Sequence, residues 1–356
     1  MGNSNLLFEN TGSHISFNGE IIDTQRYLED VDDTGYWDGG IAYDVVRVIH
    51  GVPMFFEDHC ERLNASMAKL DIKSEIGNDS LYGPITNLLD ANRLSDCNIK
   101  IWAAAADVAG QAKTNIFLNI NKSFYPPPEY YRDGVPTGLY AYTRDNPNVK
   151  RVVTGFKERV QALMDSGGVF EVLLYDDSQR LTEGSRTNLF FVRGDQLYTA
   201  PDRMILKGTV RKYVFEAAKR AGVNIVERPV ALDEIGLSPG SLDRRRAHGG
   251  ADSSRFKHDT VKIRLFRPKK AKSLPLPKLT RGPWPNDDSA AELPELAVKG
   301  AFLTGTSIGV LPISRIGGMK LDSAGDPIIR RIRDEYEKLA HDYVGARIKD
   351  RRDFDD

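Results

Sequence analysis

The sequence predicts a mixed α/β (α+β) fold in two domains. Three observations carry that expectation. Runs of β-branched and aromatic residues alternate with segments whose apolar residues recur at helical spacing. The 356 residues are about twice an ordinary single domain, and 40% hydrophobic content supplies a core. Tyr125-Pro126-Pro127-Pro128 is a stiff break between two such alternating blocks. The smaller domain is read as 1–122, the linker as 123–127 and the larger domain as 128–356.

The elements follow in order. Ile41–Val48 is rich in β-branched residues and ends at the turn His50-Gly51, so it reads as a strand. Pro53–Phe56 reads as a second, edge-compatible strand. Glu57–Leu70 reads as a helix with Leu63, Met67 and Leu70 on one side. Asn98–Ala104 and Thr114–Ile120 read as a pair of strands. Past the prolines, Gly138–Tyr142 is a strand, a helix lies within Thr154–Met164, and Phe170–Tyr175 is an apolar strand. Asn188–Val192 and Gln196–Thr199 form a hairpin around Arg193-Gly194-Asp195. Thr209–Ala221 places Val210, Tyr213, Val214, Ala217 and Ala221 on one helix face, with Gly222 as its C-cap. Val223–Val226 returns as a strand, and Gly300–Thr304 is a short buried one. Asp326-Pro327 opens the last helix, whose apolar residues are Ile328, Ile332, Tyr336, Leu339 and Tyr343.

A net charge of −1 gives no global pull toward nucleic acid or acidic lipid. It hides an asymmetry, because Arg244–Arg281 holds thirteen Lys/Arg against two Asp. Prolines surround that block and no helical period runs through it. It reads as a flexible, solvated insertion at about 237–296 within the larger domain. A nucleic-acid or acidic-partner arm is the lesser reading, and an error in the gene model is the third. No apolar run approaches a membrane span, and the first residues lack a basic-then-apolar leader pattern. Two cysteines, Cys60 and Cys97, exclude a disulfide scaffold and point to a cytoplasmic, reducing compartment. The six histidines are scattered without metal-ligand spacing, so no metal site is expected; His59 reads as a surface or packing residue. There is no GxGxxG, GxxxxGK[ST] or HExxH.

The most informative segment is Leu181-Thr182-Glu183-Gly184-Ser185-Arg186-Thr187-Asn188-Leu189-Phe190. By composition it is a turn running into a strand. Leu206-Lys207-Gly208-Thr209-Val210-Arg211 then opens a helix whose free amides form an anion cradle. Gly305-Thr306-Ser307 supplies a second set of small donors at a strand end.

Together these residues resemble the fold-type IV pyridoxal-phosphate enzymes, the class IV aminotransferases. That family includes branched-chain aminotransferases, D-amino-acid aminotransferases and aminodeoxychorismate lyases. The likeness spans about Ile41–Ile235 and Gly300–Ile332. It rests on E-G-S-x-x-N-[hydrophobic]-F, the later L-x-T and L-x-G-x-x-R, Tyr43-Asp44-Val45-Val46-Arg47-Val48, and Glu57-Asp58-His59-Cys60-Glu61-Arg62-Leu63.

The resemblance implies a two-domain fold with pyridoxal 5'-phosphate between the domains, in a homodimer. It implies Lys150 as the catalytic lysine that links to the cofactor, with Lys157 as its rival. Such a lysine must lose its proton and then serve as base and acid. Glu183 falls where an acid faces the cofactor ring nitrogen, keeping it protonated. Arg62, Thr187, Thr209, Val210, Thr306 and Ser307 fall at the cofactor, with Arg62 on its phosphate. Tyr43 and Arg47 fall at the substrate mouth.

The implied reaction moves an amino group between an amino acid and a 2-oxo acid. A branched-chain-like L-amino acid is favoured over a D-amino acid. A lyase releasing pyruvate, or a cofactor-free binding protein, is the alternative. The sequence departs from the family pattern at Asp44, where Glu is commoner, and at Thr209-Val210, where Ile-Thr is usual. It also lacks Asn-Tyr after Lys150 and Arg-x-His within Asn98–Asn121.

Overall fold

The computed structural model describes residues 10–30, 40–73, 76–108, 111–153, 155–237 and 297–355. The first block holds β1 (His14–Phe17), β2 (Glu20–Asp23), α1 (Thr24–Asp30), β3 (Ile41–Ile49), β4 (Val52–Pro53), α2 (Phe56–Lys69), α3 (Asn78–Asn92), β5 (Cys97–Val108) and β6 (Gln111–Asn121). Its six strands form one sheet in the order β2-β1-β6-β5-β3-β4. The second block holds α4 (Pro128–Asp133), β7 (Val135–Ala141), α5 (Phe156–Gly167), β8 (Glu171–Tyr175), β9 (Arg180–Gly184), β10 (Asn188–Arg193), β11 (Gln196–Thr199), α6 (Thr209–Ala221), β12 (Ile225–Glu227), β13 (Val230–Ala231), β14 (Val298–Gly305), β15 (Gly309–Ile316), β16 (Met319–Lys320) and α7 (Pro327–Asp355). Its strands form a second, ten-stranded sheet. Mixed helices and strands are the fold class expected from the sequence.

Strand β3 shows how the first sheet orients side chains. Ala42, Val46 and Val48 are fully buried in one core with Leu63 and Met67 of α2. Tyr43, Val45 and Arg47 alternate onto the opposite, half-buried face, as the two-residue strand period requires. Asp44 therefore lies on the apolar face, fully buried, and needs partners there.

In the second sheet, β10 pairs β14 along most of its length. It also pairs back to β9 at Asn188–Glu183. That single pairing closes the path β10-β14-β15-β7-β8-β9 on itself. Helices α6 and α7 cover one side of this path, burying Val214, Ala217, Ile332 and Tyr336 in a shared core with Phe190 and Phe302.

Several boundaries differ from expectation for local reasons. The edge strand expected over Pro53–Phe56 is instead β4, Val52–Pro53, and ends at Pro53. Phe55 turns into the left-handed region (φ 52°), stacks on Tyr213 with centroids 3.4 Å apart, and starts α2 at Phe56. The strand expected at Val223 begins at Ile225. Gly222 (φ 65°) caps α6, and the Val223 amide bonds back to Ala218 O at 2.9 Å. Asp326 caps α7 as expected, its Oδ1 accepting from the Ile328 and Ile329 amides at 2.8 and 3.1 Å. The hairpin over Asn188–Thr199 and helix Thr209–Ala221 also form. The basic insertion lies outside the described residues beyond Leu237; its flanks, Leu237 and Val298, pack on one common core.

Candidate active site

Lys150 lies in the stretch between β7 and α5, and α2 and β3 hold its backbone. Its amide donates to Ser66 Oγ at 3.2 Å, and its carbonyl accepts from the Tyr43 amide at 3.1 Å. The Lys150 Nζ stands 5.1 Å from the Tyr43 ring centroid. Burial, then the Arg62 charge, push the amine down to about 7, against the pull of Asp44. Lys157, the rival, is exposed on α5.

Arg62 projects from α2 toward Asp44. Its Nε donates to Asp44 Oδ2 at 2.7 Å and its NH2 to Oδ1 at 2.6 Å, a parallel fork. His59, one turn earlier and buried, sits with Nδ1 2.8 Å from Asp44 Oδ1. Burial alone would raise the Asp44 carboxyl, but the charges of Arg62 and His59 hold it well below the usual carboxylate range. Burial lowers His59 despite Asp44. The remaining arm of Arg62, NH1, reaches Lys207 O at 3.2 Å, beside the start of α6.

Gly208 is the residue before α6, so the Thr209 and Val210 amides have no partner within the helix. The Thr209 hydroxyl is buried there without a hydrogen-bond partner. Free donors, an orphan hydroxyl and the Arg62 arm therefore meet at one helix N-terminus, which favours an anion.

Glu183 occupies the point where β9 meets β10 and is 3% exposed. Its Oε1 accepts from Arg144 Nε at 2.7 Å, and its Oε2 from the Leu206 amide at 3.1 Å and Asn188 Nδ2 at 3.4 Å. Burial raises this carboxyl; Arg144, the Leu206 amide and the Lys150 charge oppose the rise. Behind it, the buried Glu171 accepts from the Ser185 amide, Ser185 Oγ and Thr187 Oγ1. The Thr187 hydroxyl is thus engaged with Glu171.

Of the remaining expected residues, Ser307 and Arg47 are joined through Asn98 and Tyr125. Thr306 and Ser307 lie in the turn between β14 and β15. Ser307 Oγ accepts from Asn98 Nδ2 at 2.6 Å, and Asn98 Oδ1 accepts from Tyr125 OH at 3.1 Å. The Arg47 guanidinium lies 3.7 Å above the Tyr125 ring. Arg47 and Ser307 therefore belong to a bridge between the two sheets, whereas Tyr43, Arg62 and Glu183 lie about the Lys150 amine and Thr209 stands at the start of α6.

The sequence reading missed Arg144, Ser66 and Lys100. Lys100 Nζ stands 3.9 Å from the Trp102 centroid and 4.6 Å from that of Tyr43. Only Ser66 carried a signal, four residues beyond Arg62 on the same helix.

The chain is similar to several known proteins. It is 23% identical over 228 residues to a D-alanine aminotransferase of Bacillus licheniformis, a match covering 62% of this chain and 80% of the relative. It is 27% identical over 238 residues to a protein of Methanocaldococcus jannaschii provisionally named a branched-chain-amino-acid aminotransferase, covering 62% and 80%. The fold matches a branched-chain amino acid aminotransferase from Thermobaculum terrenum, solved in its PLP-form. The TM-score is 0.65 at 19% identity, over 94% of this chain and 95% of that one. The family model for amino-transferase class IV matches residues 41–238, more than half of the sequence. The chain belongs to the class IV aminotransferases, and it is a transaminase.

Proposed function

We propose that the chain is a pyridoxal 5'-phosphate-dependent aminotransferase that moves an amino group between an amino acid and a 2-oxo acid, with Lys150 as its catalytic amine. The observation that carries this reading is the Lys150 amine, held down to about 7, in electrostatic reach of the buried Glu183. An amine that loses its proton near neutral pH can act as nucleophile and as base.

The residues fit the cofactor. The α6 N-terminus, with the orphan Thr209 hydroxyl, offers a phosphate the donors it needs. Arg62, the Thr209 and Val210 amides, and the turn of Thr306 and Ser307 would hold that phosphate. Glu183 would take the ring nitrogen and keep it protonated. Thr187, through its bond to Glu171, would hold the turn that carries Glu183. When bound, the cofactor supplies an electron sink for charge that develops at the substrate α-carbon. Lys150 would remove that carbon's proton and return it from the same face as the amino group passes to the cofactor. Tyr43 and Arg47 would line the substrate mouth.

A branched-chain-like L-amino acid is the proposed substrate. The aromatic pair Tyr43 and Trp102, centroids 5.6 Å apart, suits an apolar side chain, and the fold match bears that substrate in its name. The D-alanine relative favours a D-amino acid as the second reading. The proposal keeps the division into 1–122, 123–127 and 128–356, which the two sheets support. It also keeps the homodimer and the cytoplasmic setting. Among the described residues, no helix is long and apolar enough to cross a membrane.

Borohydride reduction of the loaded protein tests the reading. The cofactor mass should remain on the peptide carrying Lys150. Its appearance on Lys157, or no retained mass, overturns the assignment. A panel of L- and D-amino acids with 2-oxoglutarate or pyruvate then decides the substrate. Pyruvate release without an acceptor would mark a lyase instead.

A further inference from the structure

We propose that Arg144 is a positioning residue that fixes the Glu183 carboxylate and the Lys150 stretch in one relation across the site. This rests on the reading of Glu183 and Lys150 given above.

Arg144 lies six residues before Lys150 in the same stretch. Its Nε donates to Glu183 Oε1 at 2.7 Å, and its NH2 donates to Ser185 O at 2.6 Å. One planar fork thus grips both the carboxylate and the backbone of the β9–β10 turn. Phe156 backs the guanidinium, with the ring centroid 5.1 Å from Cζ. The far end of the stretch is tied to the other block, through Ser66 Oγ of α2 to the Lys150 amide and Tyr43 N of β3 to its carbonyl. The stretch therefore spans the gap between the sheets, anchored at both ends. Among the described residues, Arg144 ties this stretch to Glu183 by its side chain.

The second oxygen of Glu183 is occupied by the Leu206 amide and Asn188, so Arg144 completes the orientation of the carboxylate. A carboxylate this buried needs a counter-charge to stay ionised, and Arg144 supplies it. The same charge lies among those that hold the Lys150 amine down. Two fixed donors and a permanent charge are what an arginine provides and a lysine does not.

The test uses Arg144→Met and Arg144→Lys, with Glu183→Gln as control. Three quantities are read. They are hydrogen exchange over residues 142–150 in the cofactor-free protein, the pH midpoint of the bound cofactor's visible absorption, and kcat against KM. In Arg144→Met, exchange over this stretch should quicken about tenfold as its anchor is lost. The absorption midpoint should move up by about one pH unit, because a cation near Lys150 is gone. The kcat should fall about tenfold or more with KM nearly unchanged, as for a group that acts through its neighbours. Arg144→Lys should keep the midpoint, since the charge stays, while exchange remains faster than wild type.

Wild-type exchange and midpoint in Arg144→Met, with Glu183→Gln altering both turnover and absorption, overturns the proposal alone. Unchanged turnover and absorption in Glu183→Gln overturns the reading of Glu183, and the proposal falls with it. If Arg144→Met does not fold, Arg144→Lys decides. Wild-type exchange and kcat in that variant overturn the two-point brace.

Discussion

Asp44 holds Arg62 through two parallel hydrogen bonds, 2.7 and 2.6 Å long, on the buried face of β3. Asp44 is fully buried and the Arg62 side chain is 11% exposed, so Asp44 depends on Arg62 and not on water for its counter-charge. The pair leaves only the NH1 arm of Arg62 aimed at the start of α6. A side chain one methylene shorter than the family's common glutamate thus makes the full fork, because α2 brings Arg62 directly above it.

Asp44→Asn should break this pair without changing its shape. Leaving a buried guanidinium uncompensated costs on the order of 3 kcal/mol. Affinity for pyridoxal 5'-phosphate should fall as well, since Arg62 loses its fixed direction. The pH dependence has a definite sign. The folded Asp44 carboxyl is depressed, so its stabilisation is complete above the unfolded value near pH 4 and is lost only as pH falls below that. Urea unfolding of both proteins should show a gap at pH 7 that closes in acid. An equal gap at pH 3 and pH 7 would show that charge pairing is not its cause.

Lys150→Met should abolish transamination and stabilise the cofactor-free protein. The folded amine sits at about 7 and the unfolded one near 10.5, so the unfolded chain binds more protons between those values. Stability contributed by this site therefore rises with pH across that window, and its penalty is greatest below pH 7. Methionine removes the penalty and fills the same space. At pH 6.5 Tm should rise by roughly 2–4 °C for each kcal/mol recovered. The gain should vanish near pH 10. An unchanged Tm at pH 6.5 would mean that the amine is solvated and not depressed.

The family was legible because its signature is local. Glu183, Gly184 and Asn188 must form one contiguous turn where β9 meets β10, so their spacing survives in the linear sequence. The same holds for Gly208 at the start of α6. Arg144 was not legible, because an ion pair between a loop and a strand end leaves no fixed spacing. Helix α3 was missed for another reason. Gly83 and Pro84 interrupt its helical propensity, and the burial of Leu81, Ile85, Leu88 and Leu89 against the first sheet overrides them. Phe55 is a similar case, since its left-handed backbone is compensated by a stack on Tyr213, distant in sequence.

Thr209→Val should separate stability from cofactor binding. The Thr209 hydroxyl is buried without a partner, which costs the folded protein about 1 kcal/mol or more. Valine keeps the shape and removes the orphan group, so the cofactor-free protein should become more stable by roughly 1 kcal/mol. If the hydroxyl donates to the cofactor phosphate, the dissociation constant for pyridoxal 5'-phosphate should rise about tenfold, as for a lost bond to a charged group. Calorimetry on the two forms measures both quantities. A loss of stability without the cofactor would mean that the hydroxyl has a partner within the protein.

Gly208→Ala probes the contact that links α6 to Glu183. The backbone at Gly208 is ordinary (φ −72°), so alanine is not excluded by conformation. It is excluded by space, since its Cβ would lie 2.0 Å from Asn188 Oδ1. Asn188 bridges Leu206 O at 2.8 Å and Glu183 Oε2 at 3.4 Å, so displacing it disturbs the carboxylate directly. Overpacking of this kind costs about 1–3 kcal/mol. Turnover should fall with it, because Glu183 loses one of the groups that orient its second oxygen. Shortening the neighbour distinguishes this from a general defect in α6. In the double variant Asn188→Ser with Gly208→Ala, the clash is gone, so the combined loss of stability should be smaller than the sum of the two single losses. Strict additivity would place the effect of Gly208→Ala in the helix itself and remove Asn188 from the path to Glu183.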